Sequence, residues 1–375
     1  MKYFDRREIT FFPLSQRKNK ADIKRDQADP AADIPVPPEL AEAVRLMAGE
    51  ILRARQSGRS VIVAFGAHTI KNGLGPLLGE LVKRRWVSHL ATNGAGVIHD
   101  WEFAFQGQSS EDVRENVREG KFGIWEETGF NINLALAVGA YRGMGYGESV
   151  GAFIVNQGLD LPSPEELRGL AASPFGETPL WKRAAAADLL DVLEKIDLPP
   201  GRYDVEHPFR DYSIQAAAYR AGLPFTSHPM FGHDIIYTHW ANHGAAVGRA
   251  AERDFLSYAE SVANLEGGVY ISVGSAVMSP MIFEKSLSMA RNRARRKGGD
   301  IRGCHIYVVD LQKAQWDWEA GEPPPDNPAY YLRFMKTFNR MGCPLKYLSA
   351  DNRIFFLSLY RALTALGKAE PAARP

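Results

Sequence analysis

The sequence has few cysteines, almost no net charge and no long apolar run, and each absence excludes a class of protein. Only two of its 375 residues are cysteine, so the disulfide framework of a small secreted domain is excluded. We interpret Cys304 and Cys343 as small buried apolar side chains. A formal net charge of +1 predicts no partnership with nucleic acid. The apolar runs are far shorter than the ~20 residues of a membrane span, and no signal peptide is recognised, so we expect a cytoplasmic protein.

What the sequence does contain is a regular alternation of short β-like runs with helical patterns. SVIVAF at Ser60–Phe65 and VSHLA at Val87–Ala91 each lead into a small-residue turn and then a helix. Strands separated by helices imply crossover connections, and therefore a doubly wound, mostly parallel, Rossmann-like α/β sheet. The six predicted strands are Ser60–Phe65, Val87–Ala91, Leu223–Thr226, Val269–Val273, His305–Val309 and Leu345–Leu348.

The remaining segments define the expected domain organisation. Residues 1–37 carry mixed charges and cannot bury enough surface to order themselves alone, so we predict an N-terminal arm. One α/β domain follows over 38–366, with a helical insertion at about 111–210 where the strand patterns stop, and 367–375 form a C-terminal tail. Within the insertion, GMGYGESVG at Gly143–Gly151 follows no strand and is interpreted as a helix break or a place of close helix packing rather than as a ligand loop.

Four segments, taken in order, resemble the deoxyhypusine synthase family. They are VSHLATNGAGVIHD, SIQAAAYRAGLPFTSHPMFGHD, GGVYISVGSAVMSPMIFEKSLSMA and PLKYLSADNRIFFLSLYRAL. The resemblance implies the NAD-binding fold of that family and a homotetramer. It also implies NAD-dependent oxidation of an amine, followed by transfer through an imine on an active-site lysine.

Only some of the catalytic residues of the deoxyhypusine synthase family have counterparts in this sequence. In PAYYLRFMK, Lys336 lies at the family lysine's distance from Pro328, although a solvated helix lysine is the alternative. Ile98 and His99 replace two glutamates that hold the cationic amine, so deoxyhypusine synthesis itself is not expected. His99 with Asp100 is a candidate general base with a partner, and His233 with Asp234 is a second candidate for proton transfer.

The residues that match the family's cofactor-binding positions lie in small-residue turns and at strand ends. Backbone amides in such turns approach a dinucleotide closely, and a carboxylate at a strand end can hold a ribose hydroxyl. The chain is therefore expected to bind NAD and to act as a transferase or oxidoreductase on a small amine or related metabolite. The predicted NAD-binding residues are Ala67, His68, Asn93, Gly94, Ala95, Gly274, Ser275, Ala276, Asp310, Asp351 and Asn352.

Two other functions remain open at this point. His228, His233, His239 and His243 lie close together in the sequence, and the last two have the i, i+4 spacing of metal ligands on a helix. A metal-assisted hydrolase is therefore an alternative, although pocket or structural histidines also fit. The third hypothesis is a nucleotide-binding protein that has lost its chemistry.

Overall fold

The computed structural model describes residues 1–174, 176–196, 198–313 and 316–369. Within these ranges, no helix combines the length and apolar character that crossing a membrane requires. The strands are β1 (Ala21–Asp22), β2 (Val61–Phe65), β3 (His89–Thr92), β4 (Gln108–Ser109), β5 (Gly158–Leu161), β6 (Gly201–Asp204), β7 (Phe225–Ser227), β8 (Val269–Val273), β9 (His305–Asp310) and β10 (Leu345–Ser349). The helices are α1 (Ile23–Asp26), α2 (Pro38–Gln56), α3 (Ala67–Lys71), α4 (Gly75–Lys83), α5 (Gly94–Gln106), α6 (Val113–Arg118), α7 (Glu126–Arg142), α8 (Tyr146–Asn156), α9 (Pro164–Ala171), α10 (Leu180–Leu193), α11 (Ile214–Arg220), α12 (Gly244–Ala263), α13 (Met278–Arg295), α14 (Arg333–Asn339) and α15 (Asn352–Ala369).

Six parallel strands form the central sheet, in the spatial order β7-β3-β2-β8-β9-β10. These are the six strands predicted from the sequence, so the prediction of a parallel α/β sheet is confirmed. Numbered along the chain, their order is 3-2-1-4-5-6, the order of doubly wound dinucleotide-binding sheets. The first strand of this sheet along the chain is β2, which lies in the middle. The next two strands, β3 and β7, are added on one side of β2, and β8 then lies on its other side. The reversal therefore lies between β2 and β8.

The sheet is covered on both faces, which explains why its central strands β2 and β8 are almost wholly apolar. Along β2, Val61, Val63 and Phe65 face one apolar layer, while Ile62 and Ala64 face the other. Helices α2, α4 and α15 contribute to the first layer, and α12, α13 and α14 contribute to the second. Every residue of β2 and β8 is buried, so the strand ends at the reversal are held rigidly.

The segment at about 111–210 contains the helices α6 to α10. It also contains an antiparallel pair, β5 with β6, that the sequence patterns did not predict. The sequences of the two strands are GLDL and GRYD, and neither shows an extended alternating apolar pattern. Strand β6 is also largely exposed. The pairing depends on contacts between segments far apart in the chain.

The N-terminal arm is ordered because it packs on the domain. Strand β1 pairs with β4, and Phe12 bridges to Trp125 at the start of α7. Leu14 and Ile23 are each 1% exposed, so the arm buries apolar surface only by using the domain as its partner. At the other end, α15 continues to Ala369, and the rest of the predicted tail lies outside the described residues.

Candidate functional site

The turns that follow β2 and β8 touch each other at the reversal of the strand order. The Gly66 N–H donates to the Val273 carbonyl at 3.0 Å, and the Gly274 N–H donates to the Val309 carbonyl at 2.9 Å. A Cβ on Gly66 would lie 2.1 Å from the Gly274 carbonyl oxygen, so only glycine permits this approach. Gly274 has a φ of +55°, and its missing Cβ would point into open space. In open α/β sheets, ligands bind in the crevice at this reversal.

A cleft of about 230 Å³ opens beside these turns. Asn72 Nδ2, after α3, donates to Asn352 Oδ1 at 2.9 Å and so spans one end of it. Asp310 Oδ1 accepts from the Gln312 N–H at 3.1 Å, and Asp351 Oδ1 accepts from the Arg353 N–H at 2.8 Å. The cleft is lined by His68, Asn72, Val273, Gly274, Val309, Asp310, Leu311, Ala350, Asp351 and Asn352. Five of these ten are predicted cofactor positions: His68, Gly274, Asp310, Asp351 and Asn352.

The other predicted cofactor positions lie at neighbouring strand ends. Ala67 begins α3, and Ala276 lies exposed in the turn before α13. The Ser275 side chain stabilises that turn, because its Oγ accepts a hydrogen bond from the Ser279 N–H at 3.1 Å. Asn93 and Gly94 start α5, on the β3 side of the reversal.

At the start of α5 the backbone meets a buried carboxylate. The Asp234 carboxylate accepts from the Ala95 N–H, and a Cβ on Gly94 would lie 2.2 Å from Asp234 Oδ2. Burial raises the pKa of Asp234 to about 6, against the opposing effects of His233 and the Ala95 N–H. Asp234 is therefore poised to exchange a proton near neutral pH.

Two tyrosines join Asp234 in what we call the Asp234 cluster: Asp234, Tyr146 and Tyr237. Within the described part of the chain, Asp234 Oδ2 and both phenol oxygens are buried without a hydrogen-bond partner. Burial first, and then the charge of Asp234, raises the pKa of Tyr146 and of Tyr237, so both phenols stay protonated. Buried polar atoms without partners are costly and mark a place where a ligand can supply the bonds.

Sequence reasoning missed both tyrosines. Tyr146 stands in the glycine-rich segment, which the structure confirms as a helix break between α7 and α8. The backbone N–H groups of Gly147 and Ser227 both donate to the buried Asp254 carboxylate, at 2.9 and 2.6 Å. Tyr237 follows two isoleucines, and this pattern predicts a side chain that packs in an apolar core. No local pattern distinguishes either residue.

The predicted pairing of His99 with Asp100 is wrong. Asp100 points to the start of α11, where it accepts from Ser213 Oγ at 2.6 Å and from the N–H groups of Ile214 and Gln215. His99 Nδ1 instead lies 2.7 Å from Ser109 Oγ, and burial lowers its pKa to about 4. Neighbours on a helix diverge by about 100°, which explains why adjacent residues do not meet.

The four clustered histidines also diverge. His228 lies 3.0 Å from Thr226 Oγ1, and burial lowers its pKa to about 3. His239 is fully buried among aromatic rings. His243 accepts a hydrogen bond from the Ala246 N–H at the start of α12. His233 is exposed. Among the described residues, no group of three or more His, Cys, Asp or Glu side chains is arranged to hold a metal. This arrangement removes the basis of the predicted metal-assisted hydrolase.

Lys336 lies outside the cleft. Its Nζ is 3.1 Å from the centroid of the Tyr330 ring and 3.7 Å from Glu322 Oε2, on α14 before the last strand. The lysine is therefore neither a solvated helix residue nor a residue of the strand-end site. Its cation–π and ionic contacts describe packing of α14 against the loop that follows β9.

Comparisons with known proteins give partial structural likenesses only. No family model matches the chain, and no curated protein matches it. AgrE, solved as a ternary complex with ornithine and NAD+, is 13% identical with a TM-score of 0.44, over 90% of this chain and 35% of AgrE. A conserved putative LOR/SDH protein from Methanococcus maripaludis S2 is 12% identical with a TM-score of 0.44, over 92% of this chain and 73% of that one. ArgZ, an arginine dihydrolase from the ornithine-ammonia cycle in cyanobacteria, is 14% identical with a TM-score of 0.41, over 88% and 34%.

These comparisons correct the family assignment. The chain spans about a third of the length of AgrE and of ArgZ. The solved structures it resembles are described as arginine-, ornithine- and LOR/SDH-related proteins rather than deoxyhypusine synthases. The expected deoxyhypusine synthase-like identity is therefore wrong. The amine transfer through an imine at Lys336, which was inferred from that identity, is wrong as well.

Proposed function

We propose that this chain is an NAD-binding enzyme that holds the dinucleotide along the carboxyl edge of its sheet and places a small amino-acid-type substrate against the Asp234 cluster. The observation that carries the proposal is the reversal of strand order between β2 and β8, with a cleft directly beside it. Parallel sheets with this order bind dinucleotides at that point.

The dimensions of the edge favour an extended ligand. From Asp310 at the end of β9 to Gly94 after β3 there are three strand intervals, or about 14 Å at the usual strand spacing. A single small metabolite would not reach both the cleft and the Asp234 cluster, whereas a dinucleotide extends over such a distance.

The residues present fit NAD. In the cleft, Asp310 Oδ2 is a carboxylate oxygen suited to a ribose hydroxyl, and Gly274 leaves space for close backbone approach. At the other end of the edge, the Asp234 cluster leaves one acceptor and two donors for the substrate rather than for the dinucleotide. Bound NAD would supply a hydride acceptor.

The Asp234 cluster provides the acid–base chemistry of the proposal. Asp234 Oδ2 accepts a hydrogen bond from a protonated amine or takes a proton from it, because its pKa of about 6 lies close to neutral pH. The phenols of Tyr146 and Tyr237 remain donors and can hold an oxygen of the same substrate. A small molecule with an amino group and a carboxylate satisfies all three atoms.

Dinucleotide binding is the first test. We expect NAD+ to bind in calorimetry and to raise the melting temperature, and Asp310→Asn to weaken binding about tenfold or more, since a bond to a charged group is lost. Asparagine keeps the Oδ1 acceptor for Gln312, so the fold is preserved. The exposed Asp326→Asn is the matched control and should bind as the wild type does.

Equal weakening by both variants, or no NAD+ binding at millimolar concentration, would refute the assignment of the cleft. L-Ornithine and L-arginine serve as probes of the Asp234 cluster in the NAD+-loaded protein. We expect at least one such amino acid to bind and Asp234→Asn to abolish that binding while NAD+ affinity is kept. NAD+ binding with no response to a broad amino-acid panel would favour a nucleotide-binding protein without this chemistry.

The raised pKa of Asp234 makes stability depend on pH. Between pH 4 and 6 the folded protein holds a proton on Asp234 that the unfolded chain has lost, so stability falls as pH rises through this window. We expect Asp234→Asn to remove roughly 2 kcal/mol of that fall, measured by urea unfolding at several pH values. The exposed Asp33→Asn in the arm should leave the profile unchanged, and a profile equally steep in Asp234→Asn would contradict the raised pKa.

Oligomeric state and cytoplasmic location stay predictions. Exposed apolar side chains surround the carboxyl edge of the sheet, with Phe231, Val277 and Leu311 exposed by 63%, 57% and 70%. Such a rim favours burial by a second copy of the chain. Light scattering of the purified protein tests whether it is a homo-oligomer, including the expected tetramer.

A further inference from the structure

The two cysteines lie directly opposite each other, just before two neighbouring strands. Leu345 pairs with Ile306 in the parallel ladder of β10 and β9, and the Ile306 N–H donates to the Pro344 carbonyl at 2.8 Å. Continuing this register places Cys343 opposite Cys304. Their sulfur atoms are 2.8 Å apart, and the residues are 8% and 0% exposed.

This register suits a covalent bond between the two side chains. Neighbouring strands are about 4.8 Å apart, which lies within the Cα separations of about 4.4–6.8 Å found in disulfides. Opposite residues of parallel strands also point to the same face of the sheet. The bond therefore needs only side-chain adjustment, with the strands left in place.

The two thiols are chemically unequal. Cys304 donates its S–H to Cys343, and Arg291 Nη2 lies 3.5 Å from Cys343 Sγ. The hydrogen bond and the guanidinium charge lower the pKa of the Cys343 thiol, whereas the same hydrogen bond and burial raise that of Cys304. Arg291 and Met341 also line a groove of about 630 Å³ between α13 and α14, which brings solvent close to Cys343.

We propose that Cys343 and Cys304 form a reversible disulfide under peroxide, with Cys343 as the attacking thiolate and Cys304 as the resolving thiol. The Cys343 sulfur attacks one oxygen of hydrogen peroxide, the O–O bond breaks, and a sulfenic acid forms as the second oxygen leaves and becomes water. The Cys304 sulfur then attacks the Cys343 sulfur. The S–O bond breaks and the hydroxide leaves with the Cys304 proton as water. Two thiols and one peroxide yield one disulfide and two waters, and a dithiol reverses the reaction.

Thiol counting and intact mass test the proposal in the full chain. After hydrogen peroxide, we expect both free thiols to disappear, the mass to fall by two hydrogen atoms, and a dithiol to restore both values. Peptide mapping should find Cys304 joined to Cys343 within one chain. In Cys304→Ser, we expect no disulfide and a Cys343 sulfenic acid that dimedone traps.

The rate of oxidation tests the role of Arg291. Arg291→Gln should oxidise more slowly, because loss of the guanidinium charge raises the pKa of Cys343 and so lowers the fraction of Cys343 that is thiolate. Arg295→Gln is the matched control, because Arg295 lies one turn further along α13 and pairs with Asp300 instead of a cysteine. Persistence of two free thiols in folded wild-type protein, or dimedone labelling of Cys304 rather than Cys343, would overturn the proposal. Equal rates in the two arginine variants would overturn the activation by Arg291.

Discussion

Replacing Arg17 with methionine is expected to lower the free energy of unfolding by about 3–5 kcal/mol. Arg17 donates to both oxygens of Glu102, at 2.8 and 2.7 Å, and the two side chains are only 2% and 1% exposed. Ser109 and Thr128 donate to the same carboxylate. Burial alone would raise the pKa of Glu102, but Arg17 outweighs it and holds the pKa low. Without Arg17 a buried charge is left uncompensated.

Two readouts distinguish this mechanism from simple loss of packing. Chemical denaturation of Arg25→Met should show a change below about 1 kcal/mol, because Arg25 lies in the same arm but its side chain is 65% exposed where it pairs with Asp26. The deficit of Arg17→Met should also shrink as the pH is lowered towards 4, since protonation of Glu102 removes the unpaired charge. A deficit that is constant with pH would point to lost contacts instead.

Gly66→Ala is expected to destabilise the protein by about 3 kcal/mol and to abolish dinucleotide binding. The new Cβ would lie 2.1 Å from the Gly274 carbonyl oxygen and 3.2 Å from its carbon, and these backbone atoms cannot rotate away. The turns after β2 and β8 must therefore separate. The effect is steric, because the φ of Gly66 is −81°, which alanine also adopts.

Gly248→Ala is the matched control for that substitution. Gly248 lies within α12, where a Cβ would meet nothing within 4 Å, so alanine should stabilise the helix by about 0.5–1 kcal/mol. Thermal unfolding and NAD+ titration of both variants check the prediction. If Gly66→Ala is destabilised yet binds NAD+ with wild-type affinity, the dinucleotide lies away from the reversal of strand order.

The family resemblance failed for a physical reason. Small residues after strands, a leading Leu-Pro and an acidic residue at a strand end meet requirements of parallel α/β sheets in general. A turn such as Gly274–Ala276 therefore indicates the sheet, and it does not specify which reaction the sheet serves. Tyr146 and Tyr237, to which we assign substrate binding in the proposed function, stand in segments with no local signature of a site.

The sequence by itself determined the six parallel strands and the polar residues at their ends, because apolar runs and the turns that follow them are encoded by neighbouring residues in the sequence. His68, Gly274, Asp310, Asp351 and Asn352 meet in one cleft since the carboxyl ends of parallel strands share an edge.

Only the tertiary structure decided the strand order and the side-chain partners. It set β8 beside β2, turned Asp100 towards Ser213, paired Arg17 with Glu102 and placed Cys304 opposite Cys343. These contacts join residues far apart in the chain, and no periodicity records them. Their geometry follows from how the helices and the arm pack on the sheet, which depends on the whole buried surface at once.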